Sequence, residues 1–116
     1  MYHKYLAILE AEDFNNAEAA VGIAREEITN RPTPQSYDLL AWGYYHQKKF
    51  KLALDIVKRH VEDQTFEPES YYHIGMIYAA NDDKEQARQY LVEALESEFE
   101  LGPSTSKKIR TAIQNL

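Results

Sequence analysis

The sequence predicts an all-α fold, a stack of antiparallel helical hairpins, on three observations. Stretches beginning at Pro34 and Pro68 repeat each other with a period of 34 residues: Ser36 matches Ser70, Tyr37 matches Tyr71, Tyr44 matches Tyr78 and Ala53 matches Ala87. At the same spacing Leu40/Ile74, Ala41/Gly75, Val57/Leu91 and Val61/Leu95 keep apolar or small character. Within each copy the apolar residues recur three or four apart, which places them on one helical face. Pro34, Pro68 and Pro103 each suit the first position of a helix, where a missing N–H had no partner to lose. A period of this length built from two helices is a hairpin that cannot bury its apolar face alone, so neighbouring copies stack.

The first hairpin spans about residues 2–31, with helices over about 2–12 and 14–29 and Asp13 at the turn. Phe14, Ala17 and Val21 match Phe50, Ala53 and Val57 at 36 residues, so the connector to the next copy, 30–33, is longer than the period requires. The second hairpin spans about 34–67. Thr33 caps its first helix through the hydroxyl, Tyr37, Leu40, Ala41, Tyr44 and Tyr45 form the stripe, and Gln47, Lys48 and Lys49 make the turn. Phe50, Ala53, Leu54, Val57 and Val61 line its second helix.

The third hairpin, about 68–101, repeats the arrangement with Tyr71, Ile74, Gly75 and Tyr78, then a turn at 81–83, then Ala87, Leu91, Ala94 and Leu95 on a helix running to about Glu98. Asp82 and Glu85 have the spacing of a capping box. A last helix over about 103–115 carries Ile109, Ala112, Ile113 and Leu116 on one side and Lys107, Lys108 and Arg110 elsewhere, as a solvating cap does. The chain, 1–116, is read as a single domain of about three hairpins plus this C-terminal cap helix.

Composition narrows the functions open to such a domain. At 116 residues there is room for one core and none for a separate catalytic domain. The net charge of −6 repels phosphate backbones, so nucleic acid is not an expected partner. With no cysteine there is neither a disulfide framework nor a thiolate metal site; this agrees with the cytoplasm and leaves the compartment open. No apolar run approaches the ~20 residues of a membrane span and no signal peptide is recognised at the N-terminus, so a soluble chain with no membrane partner is expected.

These residues resemble the tetratricopeptide repeat (TPR) family over about 2–101. In that pattern a small residue of the first helix faces two alanines of the second; Gly75, Ala87 and Ala94 fit, as do Ala41 and Ala53. His60 stands where the second alanine of its copy is expected, so either the helix shifts there or His60 reaches outward. Tyr37 and Tyr71 replace the usual tryptophan. The resemblance implies a TPR-type α-α superhelix acting as a non-catalytic protein–protein interaction module, which holds a peptide or helix in a concave groove lined by the first helix of each hairpin. Carried over, the groove candidates are Trp42, Tyr45 and His46 in one copy and Tyr72, His73 and Met76 in the next, with Tyr45 and Tyr72 the foremost. Large aromatic and thioether side chains there suit an apolar or aromatic partner. The alternative is that Trp42 and Met76 pack between repeats. The family's carboxylate clamp is missing: the matching positions hold Tyr2, Leu6, Leu39, Glu69 and His73, without fixed positive charge or amide donors.

Other chemistry has little support in the sequence. His3, His46 and His73 lack metal-ligand spacing and no H-E-x-x-H occurs, so neither a metal nor a catalytic site is expected, and a histidine-lined metal domain is the weakest alternative. Gly22, Gly43, Gly75 and Gly102 are scattered and form no phosphate loop; no cofactor is expected. Lys48, Lys49 and Lys51 cluster at one turn, and Lys107, Lys108 and Arg110 on the last helix, as solvated surface or as contacts for an acidic segment. Tyr2, Tyr5, Leu6 and Leu9 crowd a first helix with no preceding repeat to cover it, which gives the second functional reading: a homodimer through that helix, or one domain of a longer repeat protein.

Overall fold

A computed structural model describes residue 12 and residues 16–116, and among these every regular element is a helix. The chain divides into two compact units, Met1–Thr65 and Phe66–Leu116. The division falls just before Pro68, where the second and third hairpins were expected to meet. No described helix is long and apolar enough to cross a membrane.

In the first unit α1 spans Ala17–Asn30, α2 Pro34–His46 and α3 Phe50–Ile56, the last continuing as a π-helical turn over Val57–Val61. The Asn16 side chain opens α1 by accepting from the Ala19 N–H at 3.2 Å. Thr33 caps α2 as expected, accepting from the Ser36 N–H at 3.2 Å, while the Ser36 hydroxyl donates back to the Arg31 carbonyl at 2.7 Å. Helix α1 buries Ala20 and Val21 together with Ala24, one turn further on, and packs on α2. The approach is close because residue 43 is glycine: a Cβ there would lie 2.8 Å from Val21 Cγ2 and 3.3 Å from its backbone nitrogen. On its other side α2 packs on α3, with Ala41 and Ala53 wholly buried.

The second unit holds α4 (Pro68–Ala80), α5 (Lys84–Leu95), the single turn α6 (Glu98–Leu101) and α7 (Pro103–Gln114). Helices α4 and α5 form a hairpin whose seam is Gly75 against Leu91 and the Ala87 carbonyl. Tyr90 of α5 lies between two tyrosines of α4, edge-on to Tyr71 at 5.6 Å and stacked on Tyr78 at 5.8 Å. Helix α7 packs on α5 and α6, sinking Ile109 and Ser106 and leaving Lys107, Lys108 and Arg110 exposed, the solvating arrangement its pattern predicts.

The 34-residue period is written in the backbone as well as in the side chains. Lys48 and Asp82 both take positive φ, each 64°. After α2 the Lys48 and Lys49 N–H groups return to the Tyr45 and Tyr44 carbonyls at 2.9 Å; after α4 the Asp82 and Asp83 N–H groups return to Ala79 and Tyr78 at 3.1 and 3.0 Å. Both are Schellman closures, which satisfy the last carbonyls of a helix by turning the chain left-handed for one residue.

Three expectations shift. The cap of α5 is Asp83, whose carboxylate accepts from the Gln86 N–H at 3.2 Å, because the closure places Asp82 in the left-handed position and leaves its neighbour to begin the helix. The helix expected to reach Glu98 stops at Leu95, and α6 follows after a turn. The position of His60 is resolved by both routes at once. The Glu62 N–H bonds the Val57 carbonyl at 2.8 Å, a π-type bond, and His60 is exposed with its ring stacked on Tyr37 at 3.9 Å. In α5 the buried residues are Ala87, Leu91 and Ala94, whereas in α3 and its π turn they are Ala53, Ile56, Val57 and Val61. Through the wider turn residue 60 faces outward and residue 61 inward. The helix expected over 2–12, together with Phe14 and the apolar stripe of Tyr2, Tyr5, Leu6 and Leu9, lies outside the described residues apart from Glu12, which is helical.

Candidate functional site

The three site residues expected in the second hairpin gather at the C-terminal end of α2. Residues 42, 45 and 46 are three or four positions apart, or adjacent at the helix end, so their side chains meet over the last turn. The Trp42 and Tyr45 rings stack at 4.8 Å and 4° between planes; His46 stands edge-on to both, at 4.6 and 5.0 Å. Phe50, the first residue of α3, adds a fourth ring 5.6 Å from Tyr45.

Exposure separates these residues. Trp42 is only 2% exposed, with its indole N–H donating to the Glu12 carboxylate at 2.8 Å. Tyr45, His46 and Phe50 are half-buried around the buried Trp42. Desolvation raises the pKa of the Tyr45 phenol above its ordinary value, so this tyrosine stays neutral to higher pH than an open one. A neutral hydroxyl on a rigid aromatic body is suited to hydrogen-bonding at the edge of an apolar contact.

In the second unit the expected trio is not gathered on an open surface. Tyr72 and His73, 6% and 1% exposed, lie in the interior, their rings 5.6 Å apart. Tyr72, a foremost groove candidate from the sequence, is therefore corrected to a buried residue, and His73 with it. Periodicity alone misses this, because α4 buries seven of its residues, among them Ser70, Tyr72, His73 and Ile74, which together go well beyond a single stripe. Met76 is half-buried and lines a shallow cavity of about 360 Å³ with Lys107, Lys108, Thr111, Ala112 and Asn115 of α7 and its end. This cavity joins a groove candidate to two lysines of the basic spot seen in the sequence. The third member, Arg110, is turned to Glu98 in an exposed ion pair.

Sequence reasoning missed Glu12 and Phe50 as members of the aromatic cluster. Phe50 was readable only as a stripe residue of its own helix. Glu12 meets Trp42 across 30 residues of chain, and nothing local marks that pairing. Among the described residues no group of three or more His, Asp or Glu side chains converges as metal ligands would. Comparison of the chain with protein-family models, with curated proteins and with solved structures finds no match.

Proposed function

We propose that this chain is a TPR-type helical-repeat module that binds a protein segment, a peptide or a helix, without catalysis. The observation that carries the reading is the ring cluster at the end of α2, where half-buried Tyr45, His46 and Phe50 sit on buried Trp42. Preset aromatic rings lose little freedom on binding and dominate contact energies in interfaces. The repeat reading is supported by two helical hairpins with the same Schellman turn at the 34-residue spacing and by the small-residue seam at Gly75 and Ala87. In the second unit Met76, in its lysine-rimmed cavity, is a further contact for an apolar side chain.

The test is a selection of displayed peptides on the immobilised chain. Enriched peptides should carry aromatic or branched aliphatic anchors, and Tyr45→Ala should weaken them by at least ~1 kcal/mol, about fivefold, at unchanged helical content. Enriched peptides indifferent to Tyr45→Ala, His46→Ala and Met76→Ala would remove the basis of this reading.

A further inference from the structure

A second cavity, of about 490 Å³, opens between α1, the end of α2 and the turn that follows, and its lining is charged. Arg25 of α1 donates to the Tyr44 hydroxyl and lies 5.7 Å from the centre of that ring; the Lys49 ammonium lies at the same distance from the same ring. Two cations are thus held around one phenol. Among the described residues neither forms an ion pair, although the chain as a whole is acidic at −6. Glu18 lines the cavity but is bonded to neither cation. Arg25 has five N–H donors in a planar fork, and one bond to a hydroxyl leaves most of them unused. The Gln47 side-chain oxygen, on the same wall, is buried without a hydrogen-bond donor. A buried acceptor left unsatisfied costs free energy, which a ligand donor recovers when the Gln47 side chain turns to meet it.

Arg25 and Lys49, both exposed to solvent at the cavity, offer positive charge and donors to an anion, and the Gln47 oxygen beside them has no donor. We propose that this cavity is a separate binding site for an acidic peptide segment, its carboxylate held by Arg25 and Lys49 and a backbone N–H donating to Gln47. A peptide presents both groups a few ångströms apart, whereas a simple inorganic anion presents only the first. Glu18 at the rim weakens the site and favours ligands that pass it by. None of these side chains belongs to the cluster at Tyr45, so the two sites stand or fall separately.

The experiment is an NMR titration of the full chain with three probes: a short blocked peptide of glutamate and glycine, its glutamine counterpart, and inorganic phosphate. The acidic peptide should move the Gln47 side-chain amide and the Gly22 backbone amide, which line the cavity, and the glutamine peptide should not. Lys49→Gln, at an exposed turn position, should weaken the acidic peptide about tenfold, and Glu18→Gln should tighten it by about threefold. Added salt should weaken it. Equal binding of the glutamine peptide, shifts confined to other residues, or unchanged affinity in a folded Lys49→Gln chain each overturns the proposal. Phosphate saturating the same resonances as tightly as the peptide overturns the peptide assignment and makes this a free-anion site.

Discussion

Replacing Gly75 by alanine sets two terms of opposite sign against each other, and the hairpin seam decides between them. Alanine favours a helix interior over glycine by about 1 kcal/mol. Against that, the new Cβ would lie 2.7 Å from both Cγ and Cδ2 of Leu91 and 3.2 Å from the Ala87 carbonyl oxygen. Leu91 is wholly buried, and its Cγ is too near the backbone to swing clear by a rotamer change, so α4 and α5 must part. Overpacking of this kind costs about 1–3 kcal/mol, and with two carbons and a carbonyl in the way the upper part of that range applies. The net expectation is a loss of about 1–2 kcal/mol, read in urea or thermal unfolding as a drop of several degrees. Gly22→Ala is the internal control: Gly22 is exposed in α1 with nothing within 4 Å of its added Cβ, so only the helical gain of about 1 kcal/mol remains. The pair should move in opposite directions. Leu91→Ala in the Gly75→Ala background should cost less than in the parent, by about 1 kcal/mol, because the methyl then occupies vacated space. If Gly75→Ala stabilises the chain as Gly22→Ala does, the seam is not where α4 and α5 meet.

Tyr72→Ala should destabilise by about 3–5 kcal/mol, as truncation of a buried aromatic does, and a change under 1 kcal/mol in the same denaturation assay would return Tyr72 to the surface. Asp83→Ala should cost about 0.5–2 kcal/mol through loss of the cap on α5, while Asp82→Gly should gain up to about 1 kcal/mol by relieving a left-handed residue; the reverse order would reassign the cap. Because burial raises the Tyr45 pKa, its contribution to stability is complete below about pH 10 and is lost as pH climbs through the folded-state value. Stability curves against pH should therefore show a shallower alkaline decline in Tyr45→Phe than in the parent, and superimposable curves would contradict the burial.

Features set by a few neighbouring residues were legible in the sequence. Thr33 before Pro34 announced the start of α2, and the matched tyrosines and alanines announced the hairpin repeat, because capping and helical spacing act within a turn or two of chain. The choice between Asp82 and Asp83 was not legible, since both are good caps and the Schellman closure that separates them depends on the preceding helix end. The π turn and the stacking of His60 on Tyr37, which stands on another helix, are features that local spacing does not carry. The aromatic cluster on α2 was half readable: the family resemblance implied that Trp42, Tyr45 and His46 share a face, but a pattern of residues has no term for depth and could not tell floor from rim. For Tyr72 and His73 the same lack of depth hid their burial.

The π turn at the end of α3 means that one helix can accept a bulky residue where its counterpart requires a small one, by changing pitch and leaving chain length untouched. Residue-by-residue superposition of the two copies sets His60 against Ala94 and records a mismatch, yet the side chain that fills the corresponding interior place is that of Val61. Tandem copies joined by such a device can drift apart in identity while their interiors remain equivalent. Their kinship is then recovered by aligning the inward-facing positions rather than the letters.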